Sequence, residues 1–266
     1  MDVSGELEVS MDEVTISKAI TESYLKDLLG AMEVDVAIAG AGPSGMVAGY
    51  YLAKSKVKVA IFERKLSVGG GMWGGGMMFN RIVVQSEAKE ILDELGISAK
   101  QYQKGYYVAD AVEAVSTLCS RCIKAGAKIF NLLSVEDVMI RENDRIIGLV
   151  LNWSAVSLAN LHVDPLAVRS RLVIDATGHD AEVCRIVARK TGAGVEVRGE
   201  KSMWAEAGEK EIIENTRQVC PGLLVTGMAA NAVFGGPRMG AIFGGMLLSG
   251  RKVAELAMDL LKRTKR

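Results

Sequence analysis

Three glycines set between two apolar strands constrain this chain more than anything else in it. Residues 34–39 form a short apolar run, Gly40-Ala41-Gly42-Pro43-Ser44-Gly45 follows, a small-residue helix continues through Leu52, and 57–63 read as the next strand. The pattern Gly40-x-Gly42-x-x-Gly45 in that setting predicts a βαβ unit that binds a dinucleotide. Its glycines permit a tight turn, close backbone approach to a pyrophosphate and close helix–strand packing, and the helix N-terminus offers free N–H groups to the phosphates. Glu63 ends the second strand, placed to accept hydrogen bonds from ribose hydroxyls. An acidic residue there disfavours a 2′-phosphate, so NAD or FAD is expected before NADP. The alternative is a glycine-rich turn with a surface glutamate.

Composition agrees with a backbone that must approach a ligand. There are 29 glycines in 266 residues but only 4 prolines, which argues against linkers and disorder. Lys+Arg and Asp+Glu are both 32 and aromatics are 5 %, which leaves neither the field nor the stacking surface for nucleic acid. The acidic start at Met1-Asp2-Val3-Ser4-Gly5-Glu6 has no basic or apolar region of a signal peptide. Cys119, Cys122, Cys184 and Cys220 make no disulfide framework, so a reducing cytoplasm is expected. Residues 219–250 carry one charge, Arg238, but Pro221, Asn231, Pro237 and glycines interrupt them, and no membrane span is expected.

Along the rest of the chain the first ten residues read as polar and mobile, with a helix from about Ser17 stopped by Gly30. Residues 66–80 read as a loop, and 86–95 as a helix ended by Gly96. Asp110 and Glu113 form a capping box before a helix that Gly126 ends. Residues 128–140 and 146–156 alternate as strands about a turn at Asn143-Asp144. A strand at 172–176, a helix to Lys190, a strand at 223–226 and a final helix over 240–261 complete the chain.

Five further features could carry chemistry. Gly69-Gly70-Gly71 with Gly74-Gly75-Gly76 fits either a second loop over the cofactor or a flexible lid whose Met72, Trp73, Met77 and Met78 pack into core. Cys119-x-x-Cys122 has the spacing of a redox or zinc pair, but within a helix at core positions it reads as buried thiols. His162 and Asp164, which precedes Pro165, would face one side of an extended segment. His179 follows a strand at its carboxyl end, where open α/β folds bind ligands. Two imidazoles and a carboxylate match a non-haem Fe(II) ligand set, although core or capping roles are the commoner use of such residues. Arg238, flanked by glycines, reads as an anion-binding guanidinium at a helix N-terminus, against a buried structural arginine.

The strings AGPSG, FERK, GGGMWGGGMMFN, NWSAV, HVDP, DATGHD and GPRMGAIFGGMLLSG, in this order, resemble the thiamine thiazole synthase family from about residue 15 to the C-terminus. The resemblance implies an α/β, flavoprotein-like, Rossmann-type three-layer fold with a central parallel sheet and an additional antiparallel β-layer. It implies an N-terminal segment 1–30 with a helix at an oligomer interface, and a single dinucleotide-binding catalytic domain 31–266. Flavoproteins of this architecture carry an Asp after a late glycine; here Met228 follows Gly227, which favours NAD, used as a substrate, over FAD.

By the same resemblance Gly40, Gly42, Ser44, Gly45, Glu63, Arg64, Gly71, Val135 and Met228 bind the dinucleotide. Arg238 holds the glycine carboxylate, and Asp164 with His179 binds Fe(II). The chemistry implied joins NAD, glycine and sulfide into an ADP-linked thiazole carboxylate, releasing nicotinamide, in an octamer built from dimers whose sites are shared between protomers. In the eukaryotic branch a cysteine two residues before the metal-site Asp gives up its own sulfur. Here His162 stands there, which implies the archaeal-type branch that takes sulfide and turns over repeatedly, with His162 as an acid/base or spacer. A flavin-dependent oxidoreductase, a ribose 1,5-bisphosphate isomerase and a noncatalytic NAD-binding module are the competing expectations.

Overall fold

The computed structural model describes residues 11–263. The expected mobility of the first ten residues lies outside the described part. Five strands form a parallel sheet: β1 (Glu33–Ala39), β2 (Val59–Glu63), β6 (Lys128–Asn131), β9 (Leu166–Asp175) and β11 (Leu223–Val225), ordered β6-β2-β1-β9-β11. β10 (Arg217–Cys220) adds an antiparallel edge to β11. The register explains where a ligand can bind. Ala39 lies level with Phe62 on one side and Asp175 on the other, and Asp175 lies level with Val225. The segments that follow these strands therefore rim one crevice at the carboxyl end of the sheet.

Both faces of the sheet are buried, and the period-2 alternation of side chains divides its residues between two cores. Val36, Ile38, Val59, Ile61, Leu172 and Ile174 face a core shared with three helices, α2 (Pro43–Lys54), α4 (Ala111–Ala125) and α9 (Gly244–Arg263). Ala37, Ala39, Ala60, Phe62 and Val173 face a second core. There they meet α6 (Glu182–Lys190), α8 (Met228–Phe234) and the antiparallel pair β7 (Leu133–Arg141) and β8 (Arg145–Trp153). β8 continues antiparallel onto the first half of β9, which thus belongs to both sheet layers. A small antiparallel sheet of β3 (Arg81–Val84), β5 (Tyr106–Asp110) and β4 (Ala99–Gln103) sits apart. The three-layer α/β expectation with an antiparallel layer is met.

Several boundaries differ from expectation for identifiable reasons. α1 (Glu13–Ala31) begins earlier than Ser17 because the Asp12 carboxylate accepts the Thr15 N–H. The expected strand 128–140 is two strands, broken where Leu132 takes φ 59° and the chain steps from the parallel sheet into the antiparallel pair. Asp110 caps α4 by accepting from Val112 and Glu113, but Glu113 does not close the box; it accepts the Ser98 N–H instead. The last helix starts at Gly244, not 240. Residues 235–243 are an irregular, non-helical segment, bridged to Lys201 at Pro237 and to Val83 at Ile242.

Most of α1 is exposed. Leu28 and Ala31 are its buried residues, while Val14, Ile16, Ile20, Leu25 and Leu29 face outward. Among the described residues no helix is long and apolar enough to cross a membrane.

Candidate active site

A cavity of about 630 Å³ opens at the carboxyl end of the parallel sheet, within the usual size range for a small-molecule site. The glycine turn forms its floor. Gly40 has φ 98°, and a Cβ there would lie 2.5 Å from the Ala176 carbonyl oxygen, so only glycine lets β1 pass this close to the end of β9. A Cβ on Gly45 would fall 2.1 Å from the Gly40 carbonyl oxygen, which explains the third glycine as helix–strand packing. Gly42 caps α2 with no side chain on the helix N–H groups, with Pro43 in the first turn, and a Cβ on it would meet open space. The free N–H groups of that turn are thus left for an anion.

Glu63 is buried, not a surface residue. Its Oε2 accepts the Ala41 N–H at 2.8 Å and its Oε1 accepts the Lys65 N–H at 2.9 Å, so the carboxylate ties the glycine turn to the end of β2. Each oxygen keeps a lone-pair direction for a ribose hydroxyl. Arg64, next in the chain, bonds Asp180 at 2.9 Å and also Glu182 across the crevice. Burial pushes the Glu182 carboxyl above its ordinary pKa, with Arg64 opposing. Gly70, Gly71, Gly75 and Gly76 line the cavity, whereas of the four residues expected to pack into core only Met72 does, Trp73 being exposed. Met77, Met78 and Phe79 remain exposed at its tip.

His179 enters the cavity wall on a turn built by the end of β9. The buried Asp175 carboxylate accepts from the Thr177 N–H (3.0 Å), the Thr177 hydroxyl (2.6 Å) and the Cys184 N–H (2.9 Å). The Thr177 hydroxyl in turn accepts the Glu182 N–H at 2.7 Å. Nδ1 of His179 lies 2.8 Å and 2.9 Å from the two oxygens of Glu200. Arg238 also lines the cavity, with Nε 3.8 Å from Glu200. It does not stand at a helix N-terminus, because α9 begins six residues later; the non-helical 235–243 segment carries it instead. Nor is it a buried structural arginine, since its side chain is 60 % exposed.

Val135 and Met228 complete the wall. Met228 follows Gly227, whose N–H donates to the buried Ser249 hydroxyl. His162 and Asp164 lie elsewhere, exposed on the connection between α5 (Ser154–Leu158) and β9, outside the lining of this cavity. Among the described residues no three His, Cys, Asp or Glu side chains cluster as a metal site. One chain therefore brings together the glycine turn, Glu63, Arg64, Gly71, His179 and Arg238, but not Asp164 or His162. Sequence reasoning missed Glu200 and Glu182. Glu182 opens α6 five residues after Thr177, and Glu200 has no periodic or motif context to mark it.

The four cysteines are free thiols, Cys119 partly and the others fully buried. Burial pushes Cys122 up to about 12 and Cys220 to about 11, and raises Cys119 and Cys184 as well. That burial disfavours the thiolate which a redox or zinc role for Cys119-x-x-Cys122 would need.

Fold and cavity together define a flavoprotein-like, Rossmann-type α/β protein, with the glycine turn, an imidazole and a guanidinium lining one cleft. The Thi4 family model matches residues 17–243. A thiamine thiazole synthase of Methanothermobacter thermautotrophicus is 63 % identical over 259 residues, covering 96 % of this chain and 100 % of that protein. Another, from Pyrococcus horikoshii, is 59 % identical over 253 residues, covering 95 % and 98 %. The crystal structure of Thermovibrio ammonificans THI4 superposes with a TM-score of 0.93 at 52 % identity, covering 95 % of this chain and 99 % of that one. A geranylgeranyl bacteriochlorophyll reductase-like protein of Thermoplasma acidophilum shares the fold alone, with a TM-score of 0.52 at 15 % identity over 87 % of this chain and 79 % of its own. The chain belongs to the Thi4 family.

Proposed function

We propose that this chain is a thiamine thiazole synthase that joins NAD, glycine and sulfide into the ADP-linked thiazole carboxylate, releasing nicotinamide, with Fe(II) and over many turnovers. The observation that carries the reading is one cavity lined by the Gly40–Gly45 turn, Glu63, His179 and Arg238 together. The open side of Gly42 and the unfilled acceptor capacity of Glu63 suit the pyrophosphate and ribose of NAD. Met228 after Gly227, in the cavity wall, favours NAD over a flavin.

Arg238 would bind the glycine carboxylate and fix its nitrogen toward the opened ribose. Its exposed guanidinium is loosely held by Glu200 and free to take a second anion. His179 fits a metal, because its Nδ1 is already engaged and Nε2 is the remaining ring nitrogen. Asp164 would supply the carboxylate from a second copy of the chain, since it lies on an exposed loop away from its own His179. The exposed apolar side chains of α1 (Val14, Ile16, Ile20, Leu25 and Leu29) support such an assembly, an octamer built from dimers in a cytoplasmic enzyme. Bound Fe(II) would supply a Lewis acid and bring sulfide close to the reacting carbon. His162 occupies the position of the family's donor cysteine and has no sulfur to give, which supports repeated turnover on sulfide.

The test is product formation under anaerobic conditions. Nicotinamide release and a sulfide-dependent, ultraviolet-absorbing adenylated product should exceed one equivalent per chain. Asp164→Ala and His179→Ala should each abolish that product. Unchanged synthesis in both variants would overturn the metal assignment, and a flavin copurifying with the chain would overturn the NAD assignment.

A further inference from the structure

Glu200 stands between the two groups that the proposed chemistry depends on, and nothing in the local sequence marks it. Its side chain is 12 % exposed, whereas the His179 and Arg238 side chains are 53 % and 60 % exposed. Both carboxylate oxygens lie within hydrogen-bonding distance of His179 Nδ1, and Oε2 is also 3.8 Å from Arg238 Nε. The backbone on either side of Glu200 is pinned. The Gly199 N–H donates to the Ala232 carbonyl at 2.8 Å, and the Lys201 N–H donates to the Gly236 carbonyl at 3.0 Å. Arg238 N–H returns a bond to the Lys201 carbonyl at 3.3 Å, so the segments carrying Glu200 and Arg238 are paired directly. Pro237 is held as well, its carbonyl accepting from the buried Asn231 amide at 3.0 Å. A glutamate fixed at both neighbours is well suited to fix something else.

We infer that Glu200 is the positioning residue of this site. It accepts the Nδ1–H of His179, holds the imidazole in the tautomer whose Nε2 lone pair is free, and aligns that nitrogen with the Arg238 guanidinium. A ring whose Nδ1–H is committed to a carboxylate presents one nitrogen in one direction, and the negative partner makes that nitrogen a better donor to a cation. The same carboxylate balances the Arg238 charge until a substrate carboxylate arrives. Glu200 thus sets the direction in which His179 faces the cavity and touches neither nucleotide nor reacting atoms itself. The inference rests on the reading that His179 holds a metal.

The experiment is anaerobic titration of the full chain with Co(II), followed through its visible ligand-field bands, with NAD binding as the check that each variant is folded. Wild-type protein should bind Co(II) and His179→Ala should lose that binding. Glu200→Ala should weaken it about 10–100-fold, the usual cost of removing a carboxylate from a metal-bound imidazole, with altered bands. Glu200→Gln, whose amide oxygen can still accept the Nδ1–H, should recover most of the loss. Equal Co(II) affinity and bands in wild type and Glu200→Ala would overturn the positioning role while leaving the metal reading intact. A Glu200→Gln loss as complete as that of His179→Ala would make Glu200 a ligand and also overturn it. No Co(II) binding by the wild type would overturn the metal reading, and this inference with it.

Discussion

Replacing Glu63 with glutamine separates the two tasks assigned to that carboxylate. In the structure it accepts the Ala41 N–H at 2.8 Å and the Lys65 N–H at 2.9 Å, one on each oxygen. Glutamine has one acceptor oxygen. Turned toward Ala41, it keeps a neutral bond of about 1 kcal/mol in place of a charge-assisted one of about 2 kcal/mol, and it sets an NH2 against the Lys65 N–H. The Lys65 side is only partly buried, so water can relieve some of that clash, and the sum is about 2–3 kcal/mol of lost stability. For a chain of this size that corresponds to a melting midpoint lowered by about 5–10 °C, measured by calorimetry.

Nucleotide binding should fall independently of that loss. In the proposed complex the ribose hydroxyls would donate to whatever acceptor capacity the carboxylate has left. A neutral amide that is already committed offers less than a charged one, so the Kd for NAD by titration calorimetry should rise about 10–100-fold, or 1.4–2.8 kcal/mol. Assays belong well below the melting midpoint, where both proteins are folded. A destabilised variant that binds NAD as tightly as the wild type would refute the ribose role and leave Glu63 a strap for the glycine turn. Unchanged stability would refute the hydrogen-bond account itself.

Three further outcomes follow from the same structure. Burial raises the Glu209 carboxyl to about 7, and its Oε2 accepts the Gly245 N–H at the start of α9. A folded-state value above the ordinary 4.5 means that the native protein favours the protonated form. Stability should therefore decline as pH rises from about 4.5 through 7, and Glu209→Gln should flatten that slope and stabilise the protein at pH 8 by about 2–3 kcal/mol in denaturant titrations. A thiol reagent should label at most Cys119 in the native protein, with Cys122, Cys184 and Cys220 labelled only on unfolding, as mass spectrometry would show. Asp164→Ala and His179→Ala chains, each inactive, should recover roughly a quarter of wild-type activity when subunits are mixed at random, because that share of shared sites would be intact. Inactivity of the mixed oligomer would refute the sharing of sites between copies.

What the sequence disclosed and what it hid divide along a physical line. The Gly40–Gly45 turn, Glu63 and the capping of α4 by Asp110 were legible because each is encoded within a few residues. A positive φ demands glycine, a helix start demands an acceptor, and a strand end demands a fixed spacing. Arg238 was legible as a lone charge but misplaced at a helix N-terminus. Residues 235–243 are instead bridged to Lys201 and Val83, both distant in the chain. β4 and β5 went unseen because residues 99–103 lie mostly exposed and carry no apolar alternation, their strand character coming from the neighbour they pair with.

Glu200 belongs to the second kind. It sits in a stretch without periodicity, and its partners come from a turn 21 residues back and a non-helical segment 38 residues on. Yet the groups that can be read locally depend on it for their direction. His179 is half-exposed on a short turn, where an unpartnered imidazole would sample both tautomers and several rotamers. The local motif DATGHD thus supplies a nitrogen, and the tertiary pairing of 199–201 with 232–238 determines which way that nitrogen faces. If this division holds, substitutions in the 199–201 pairing should disturb metal affinity while sparing NAD affinity, and substitutions in the Gly40–Gly45 turn should do the reverse.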